Sequence, residues 1–239
     1  MRMRIADARN LGGAFTADDN TYSAITIQNQ SLVTLTDSVS FDEPTRGVFV
    51  KTSARFSVPR DETLTFASTL TLGGELWKEG AGTLALGGTV QFFDGAVRPD
   101  PVAGTNVVRV KAGLVRPVTT NGTDGIAFVF EDGAGLLLDA SDDAGYGLYL
   151  AKSGSGLTAD SASGKVPVSW SNAPAGTTTV TCPVLTAATT ADLDALAAKL
   201  ALGRLPRRTL RAQTVRSNAD GTVTLLATFE SSGMTLLIR

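Results

Sequence analysis

Histidine is missing from all 239 residues, which removes the usual general base near neutral pH and the commonest transition-metal ligand. Serine-histidine and cysteine-histidine catalysis are thereby excluded. A single cysteine, Cys182, permits neither an intrachain disulfide nor a cysteine-based zinc site, and reads as a buried structural thiol. Charge of one sign is lacking too. With a formal net charge of -2 there is no basic field to hold nucleic acid or an anionic membrane. Arg204, Arg207, Arg208, Arg211 and Arg216 crowd the C-terminal part, but without interleaved aromatics they read as solubilising strand and loop residues. No apolar run approaches the roughly 18 to 20 residues of a transmembrane helix, so membrane insertion by this chain is not expected. Met1-Arg2-Met3-Arg4 opens as a signal peptide would, but Ile5-Ala6-Asp7-Ala8-Arg9-Asn10 interrupts any apolar region, and no export signal is expected.

Aromatics are sparse, with 10 Phe, 3 Tyr and 2 Trp beside 25 Gly. Together with plentiful Thr and Val, this favours many short strands joined by tight turns. Period-two segments of that kind run along the chain: 23 to 29, 32 to 35, 47 to 51, 56 to 58, 63 to 66, 70 to 72, 89 to 93, 107 to 110, 114 to 118, 126 to 130, 136 to 138 and 148 to 150. Corners fall at Asn121-Gly122-Thr123-Asp124-Gly125 and at 139 to 145, rich in residues that tolerate positive φ or bond their own backbone. Residues 1 to 20 carry no clear period and read as a loose entry or an incomplete first turn of the repeat.

One stretch recurs. Leu76-Trp77-Lys78-Glu79-Gly80-Ala81-Gly82-Thr83-Leu84 has a looser copy in Phe130-Glu131-Asp132-Gly133-Ala134-Gly135-Leu136 and another in Leu150-Ala151-Lys152-Ser153-Gly154-Ser155-Gly156. The steps from Gly80 to Gly133 to Gly154 fit a repeat of about 20 to 26 residues, in the range of solenoids. The expected fold is all-β: a parallel β-helix (β-solenoid) over residues 1-168, whose inward positions include Leu64, Phe66, Leu84, Leu86, Val108, Val110 and Leu137. Each strand too short for a self-sufficient sheet would be completed by its equivalents one turn above and below.

From about residue 169 the pattern changes, and residues 169-239 are expected to form a C-terminal cap. Thr189 with Asp192 caps a helix at about 190-202, with Leu193, Leu196 and Leu200 as its apolar stripe and Gly203 and Pro206 beyond it. Strands are expected over about 209-239: Thr209 to Val215 and Thr222 to Phe229 as a hairpin about Ser217 to Gly221, then Met234 to Ile238. An open stack end exposes unpaired backbone and core, so a dissimilar closing module is physically required.

The run Lys78-Glu79-Gly80-Ala81-Gly82-Thr83-Leu84-Ala85-Leu86-Gly87-Gly88 resembles the autotransporter-associated β-strand repeat, and Asn106 to Leu114 looks like its continuation. The clear resemblance covers about residues 63 to 115. It implies a right-handed β-helix of the passenger type, an extracellular or cell-surface location, and surface glycans or host proteins as partners. The chain would then be the C-terminal portion of a longer exported protein, acting as a rigid spacer, display or adhesive element.

The alternative is a carbohydrate-active β-helix enzyme, a polysaccharide lyase or hydrolase using paired carboxylates about 5 to 9.5 Å apart. Its candidates are Asp94 with Asp100, Glu131 with Asp132, and Asp139 with Asp142 and Asp143. Asp is also the ordinary corner residue, and the structural reading is preferred at each. The Asp139 to Asp143 cluster carries oxygen ligands suited to calcium, yet departs from the EF-hand spacing and lacks its terminal Glu. Trp77 and Trp170 have the faces to stack on sugar rings, although a lone aromatic in an alternating strand more often belongs to a core or rim. No catalytic, cofactor-binding or metal-binding residue is assigned, and no cofactor is expected.

Overall fold

The computed structural model describes residues 2-8, 25-27, 31-42, 47-92, 106-119, 122-141, 146-174 and 179-231. The first elements are β1 (Arg2–Ile5), β2 (Ile25–Ile27), β3 (Ser31–Leu35), β4 (Val39–Phe41), β5 (Val48–Val50), β6 (Ser53–Ser57), β7 (Thr63–Phe66) and β8 (Leu70–Leu72). There follow β9 (Glu75–Glu79), β10 (Thr83–Leu86), β11 (Val90–Phe92), β12 (Val107–Val110), β13 (Gly113–Pro117), β14 (Ala127–Glu131), β15 (Ala134–Asp139) and β16 (Leu148–Leu150). The last are β17 (Gly156–Asp160), β18 (Val166–Ser171), β19 (Thr179–Ala187), α1 (Thr190–Ala197), β20 (Leu200–Leu202), β21 (Arg208–Ser217) and β22 (Val223–Ser231). The described residues are all-β apart from that one helix.

Four sheets hold these strands. The first orders them β1-β3-β6-β9-β12-β14-β17, the second β11-β8-β5-β2, the third β20-β18-β15-β13-β10-β7-β4 and the fourth β16-β19-β22-β21. Every pairing in the first three is parallel. In the fourth, β16 and β19 are parallel, while β19, β22 and β21 alternate in direction. From β2 to β13 the chain visits second, first and third sheets in one fixed rotation, and β16 and β19 of the fourth later take the second sheet's turn.

Register explains why short strands suffice. In the first sheet Ala54, Leu76, Val108, Phe128 and Leu157 stand side by side, and so do Val33, Phe56, Lys78, Val110, Phe130 and Ala159. In the third sheet Val39, Leu64, Leu84 and Val115 make another column. Period-two alternation sends these columns inward, and apart from Lys78 and the partly buried Ala159 they make up a continuous apolar core. Phe41 stacks on Phe66 at 5.4 Å and Phe56 meets Phe66 edge-on at 5.7 Å. Each fully buried side chain of this kind contributes about 1.5 to 3 kcal/mol. The step between equivalents is 20 residues from Leu64 to Leu84 and 22 from Ala54 to Leu76. It lengthens to 32 from Leu76 to Val108, across the segment 93-105.

Several expectations are corrected. Of the two readings of residues 1 to 20, the loose entry fails at Arg2–Ile5, which pair in register with Leu32 to Leu35 as a strand of a first turn would. Leu137 faces outward and Leu136 and Leu138 are the buried pair, because Leu136 aligns with the inward Val115. Three consecutive leucines hide that parity. The helix ends at Ala197, and Leu200–Leu202 is strand β20 on the edge of the third sheet. Pairing with Val166–Val168 satisfies backbone groups and buries Leu200, which outweighs the helix propensity of Ala and Leu. The motif copy at Leu150 to Gly156 joins β16 to β17, whereas the copies at Lys78 and Glu131 join first sheet to third. A positive φ is needed at each corner, +76° at Gly80, +82° at Gly133 and +87° at Gly154, so glycine alone does not identify which corner it serves.

At the C-terminal end, residue 168 lies within β18, and β20 extends the third sheet beyond it. Asp192 donates its N–H to Thr189 at 3.2 Å, the expected cap. Helix α1 packs on β19 and β22 with Leu193 buried and Leu196 half-buried. Trp170 lies edge-on to Phe229 at 5.0 Å and donates to Gly203 O at 3.1 Å. The hairpin turns at Asn218 and Gly221 as expected. The expected strand Met234 to Ile238 lies outside the described residues.

Candidate functional site

Lys78 is the most unusual residue in the core. Leu76 faces inward, so strand parity carries Lys78 inward as well, between Phe56 and Val110, with no exposed surface. Its Nζ donates to Gly80 O at 2.5 Å, Gly82 O at 2.5 Å and Ala112 O at 2.6 Å. Three carbonyls require three N–H donors, which only the ammonium supplies. Burial pushes its pKa down to about 8, leaving the ammonium dominant at neutral pH. Two of these carbonyls belong to the corner after β9, and the third to the equivalent corner after β12. Gly113, at φ +75°, leaves the room: a Cβ there would meet Lys78 Nζ at 2.2 Å and Gly82 O at 2.3 Å. The charge therefore ties two neighbouring corners together, and it is sealed from any substrate.

The outward side of the first sheet is where charge and an aromatic meet at the surface. By the same parity Glu75, Trp77 and Glu79 of β9 point out, beside Arg55 of β6 and Arg109 of β12. Lys111 Nζ lies 4.2 Å from the Trp77 ring centroid and Arg55 lies 5.7 Å from it. Such contacts are worth about 0.5 to 1 kcal/mol when exposed. Arg55 makes a forked bond to Glu79 at 2.7 and 3.0 Å. Arg109 bonds Glu75 at 2.8 Å and lies 3.5 Å from Glu131 and 3.9 Å from Asp160. The hydrogen bond to Glu75 is the main cause that raises the Arg109 pKa, with the Glu131 charge adding to it. The result is a flat ladder in which each carboxylate already holds a cation.

Of the candidate acids, Glu131, Asp132 and Asp139 are among the described residues. Glu131 lies on this face beside Arg109, whereas its neighbour Asp132 sits at the corner and accepts from Ala162 N at 3.1 Å. Asp139 ends β15 of the third sheet, accepting from Ser141 N and Asn172 Nδ2 at 2.8 Å each, with Arg116 at 3.6 Å. Burial acts to raise its pKa, but those two hydrogen bonds and the Arg116 charge outweigh it and hold the carboxyl below its usual range. Asp94, Asp100, Asp142 and Asp143 lie outside the described residues. Trp170 is part of the core edge, while Trp77 lies on the outer face and not in the core. Among the described residues no three His, Cys, Asp or Glu side chains converge as metal ligands would. No helix among them is long and apolar enough to cross a membrane.

Sequence reasoning placed Thr123 and Asp124 at a corner but gave them no task. Both are buried, and their side chains substitute for a missing strand beside β16. Thr123 Oγ1 accepts from Tyr149 N and donates to Tyr149 O, both at 3.0 Å. Asp124 Oδ1 accepts from Ala151 N at 3.1 Å and Lys152 N at 2.8 Å. A polar pair in a turn rich in glycine was the available signal.

Fold and surface together define an all-β protein of mainly parallel sheets, with the acids of the first sheet's outer face paired to neighbouring cations. In comparisons with known proteins, no family model, no curated protein and no solved structure matches the chain.

Proposed function

We propose that the parallel sheets wind as a right-handed β-helix closed by the module at 169-239, and that the chain serves as a non-catalytic spacer or display element of an exported surface protein. The fixed rotation of the chain through three parallel sheets supports the winding, and parallel crossovers are right-handed in nearly all sheets. The resemblance of Lys78 to Gly88 to a passenger-type repeat supports the surface location, with glycans or host proteins as the partners such an element would meet.

One observation carries the functional reading: columns such as Val33-Phe56-Lys78-Val110-Phe130-Ala159 run unbroken through six strands. At about 4.8 Å per strand, this sets the two ends of the column roughly 24 Å apart, the spacing such an element would supply. The paired state of Glu75, Glu79, Glu131 and Asp139 gives further support, since a carboxylate held by cations and N–H groups is poorly placed to act as an acid or base. The test is incubation of the purified chain with pectin, mucin, chitin and glycosaminoglycan panels. No reducing ends or unsaturated products are expected. Turnover abolished by Glu131→Gln, Asp139→Asn, or Asn at Asp94, Asp100 or Asp142 would establish the enzyme instead.

A further inference from the structure

Among the described residues the fourth sheet ends on β21. Among the described residues β21 has one strand neighbour, β22, and all of it from Thr209 to Ser217 is exposed. Two of the three exposed large apolar side chains among the described residues lie on it, Leu210 at 39% and Val215 at 51%. A bulge at Arg211 sets both on one face: Leu210 is opposite Phe229 and Val215 opposite Leu225, and those partners point into the core. The buried face of the sheet thus runs out to β21 and stops uncovered.

We propose that the outer edge of β21 joins a second copy of this chain by antiparallel strand pairing about a two-fold axis at Val215. Residues Arg208 to Arg211 are guarded, since Arg211 bonds Glu230 at 2.7 Å, Arg208 bonds Pro174 O at 2.6 Å, and the bulge twists the edge. Ala212 to Ser217 is regular and carries one charge, on Arg216. Centring the axis on Val215 sets it against the partner's Val215, Thr214 against the partner's Arg216, and Gln213 against the partner's Ser217. Every pair then shares a face. An axis one residue later would oppose two Arg216 guanidinium groups, which is destabilising. An axis one residue earlier would oppose Val215 to glutamine and leave no apolar pair. At this one register the strand pairs Val215 with Val215 and opposes no like charges.

Five paired residues a side bury less than the about 1,200 Å² of stable complexes, so a dissociation constant on the order of 100 µM is expected. Sedimentation equilibrium of the full chain across that concentration should show a monomer-dimer equilibrium, weakened at least about tenfold by Val215→Lys. Val215→Cys gives a second readout. Opposed residues in an antiparallel pair have Cα atoms about 4.5 to 5.5 Å apart, within the reach of a disulfide. Under mild oxidation Val215→Cys should link into dimers faster than Thr209→Cys, while the buried Cys182 stays unreacted. A chain that is monomeric throughout, a dimer that Val215→Lys leaves intact, or equal linking by the two cysteine variants would overturn the proposal.

Discussion

Replacing Lys78 by Met keeps the volume of the inward column but removes the charge and its three donors. Gly82 O retains the N–H of Leu114 at 3.1 Å, while the carbonyls of Gly80 and Ala112 lose their Lys78 donor. These two part-buried carbonyls, left without that donor, cost about 2 to 6 kcal/mol together. Against this, removing a desolvated ammonium returns about 3 kcal/mol, the worth of a pKa lowered from 10.5 to about 8. The midpoint is a loss of about 1 kcal/mol at pH 7. The pH dependence is sharper. Because the folded pKa is depressed, the unfolded chain binds more protons between pH 8 and 10.5. Wild-type stability from this group is therefore fully present above 10.5 and lost as pH falls through 8. The gap between wild type and Lys78→Met should widen by up to about 1.4 kcal/mol per pH unit across that window. Urea unfolding at a series of pH values measures it. A gap that stays flat or narrows from pH 8 to 10 would refute the lowered pKa of Lys78.

Three other outcomes follow from named contacts. Gly113→Ala forces a Cβ onto Lys78 Nζ and two backbone oxygens at positive φ and should cost about 2 to 4 kcal/mol, and adding Lys78→Met should recover part of it in a double-mutant cycle by thermal melting. Asp124→Ala removes the acceptor of the part-buried Ala151 and Lys152 N–H groups and should cost about 1 to 3 kcal/mol in urea unfolding, whereas Asp124→Asn, which keeps an oxygen there, should lose much less. Leu193→Asp places a charge where a side chain is 1% exposed and should cost several kcal/mol by the same measurement, with Leu196→Asp costing less because Leu196 is half-buried.

What the sequence displayed was the period. Alternation located most of the strands from β2 to β16, though not β4 or β9, and six of the seven inward residues chosen are buried, because period two is set by the pleat and needs no tertiary knowledge. Leu137 failed because three leucines in a row carry no parity. Leu200 failed for a different reason: Leu193, Leu196 and Leu200 satisfy a helical stripe, and only the free edge of β18 makes a strand the better outcome there. Lys78 was legible and went unread. Leu76 two positions earlier fixes its direction, but a lysine in an inward place contradicts composition until its three carbonyls are seen. The ladder around Trp77 and Arg109 was beyond reach, since Glu75, Arg109, Glu131 and Asp160 become neighbours only through register across steps of 22 to 34 residues.

The most direct test of the stacked arrangement is a pair of spin-label distances along one outward row of the first sheet. Leu32, Arg55, Trp77, Arg109, Val129 and Thr158 stand in register on successive strands. At about 4.8 Å per strand, labels at positions 55 and 158 should lie roughly 19 Å apart, and labels at 32 and 158 roughly 24 Å apart. The predicted result is that second distance exceeding the first by one strand spacing. Equal distances, or a separation between 32 and 158 shorter than that between 55 and 158, would contradict the stack.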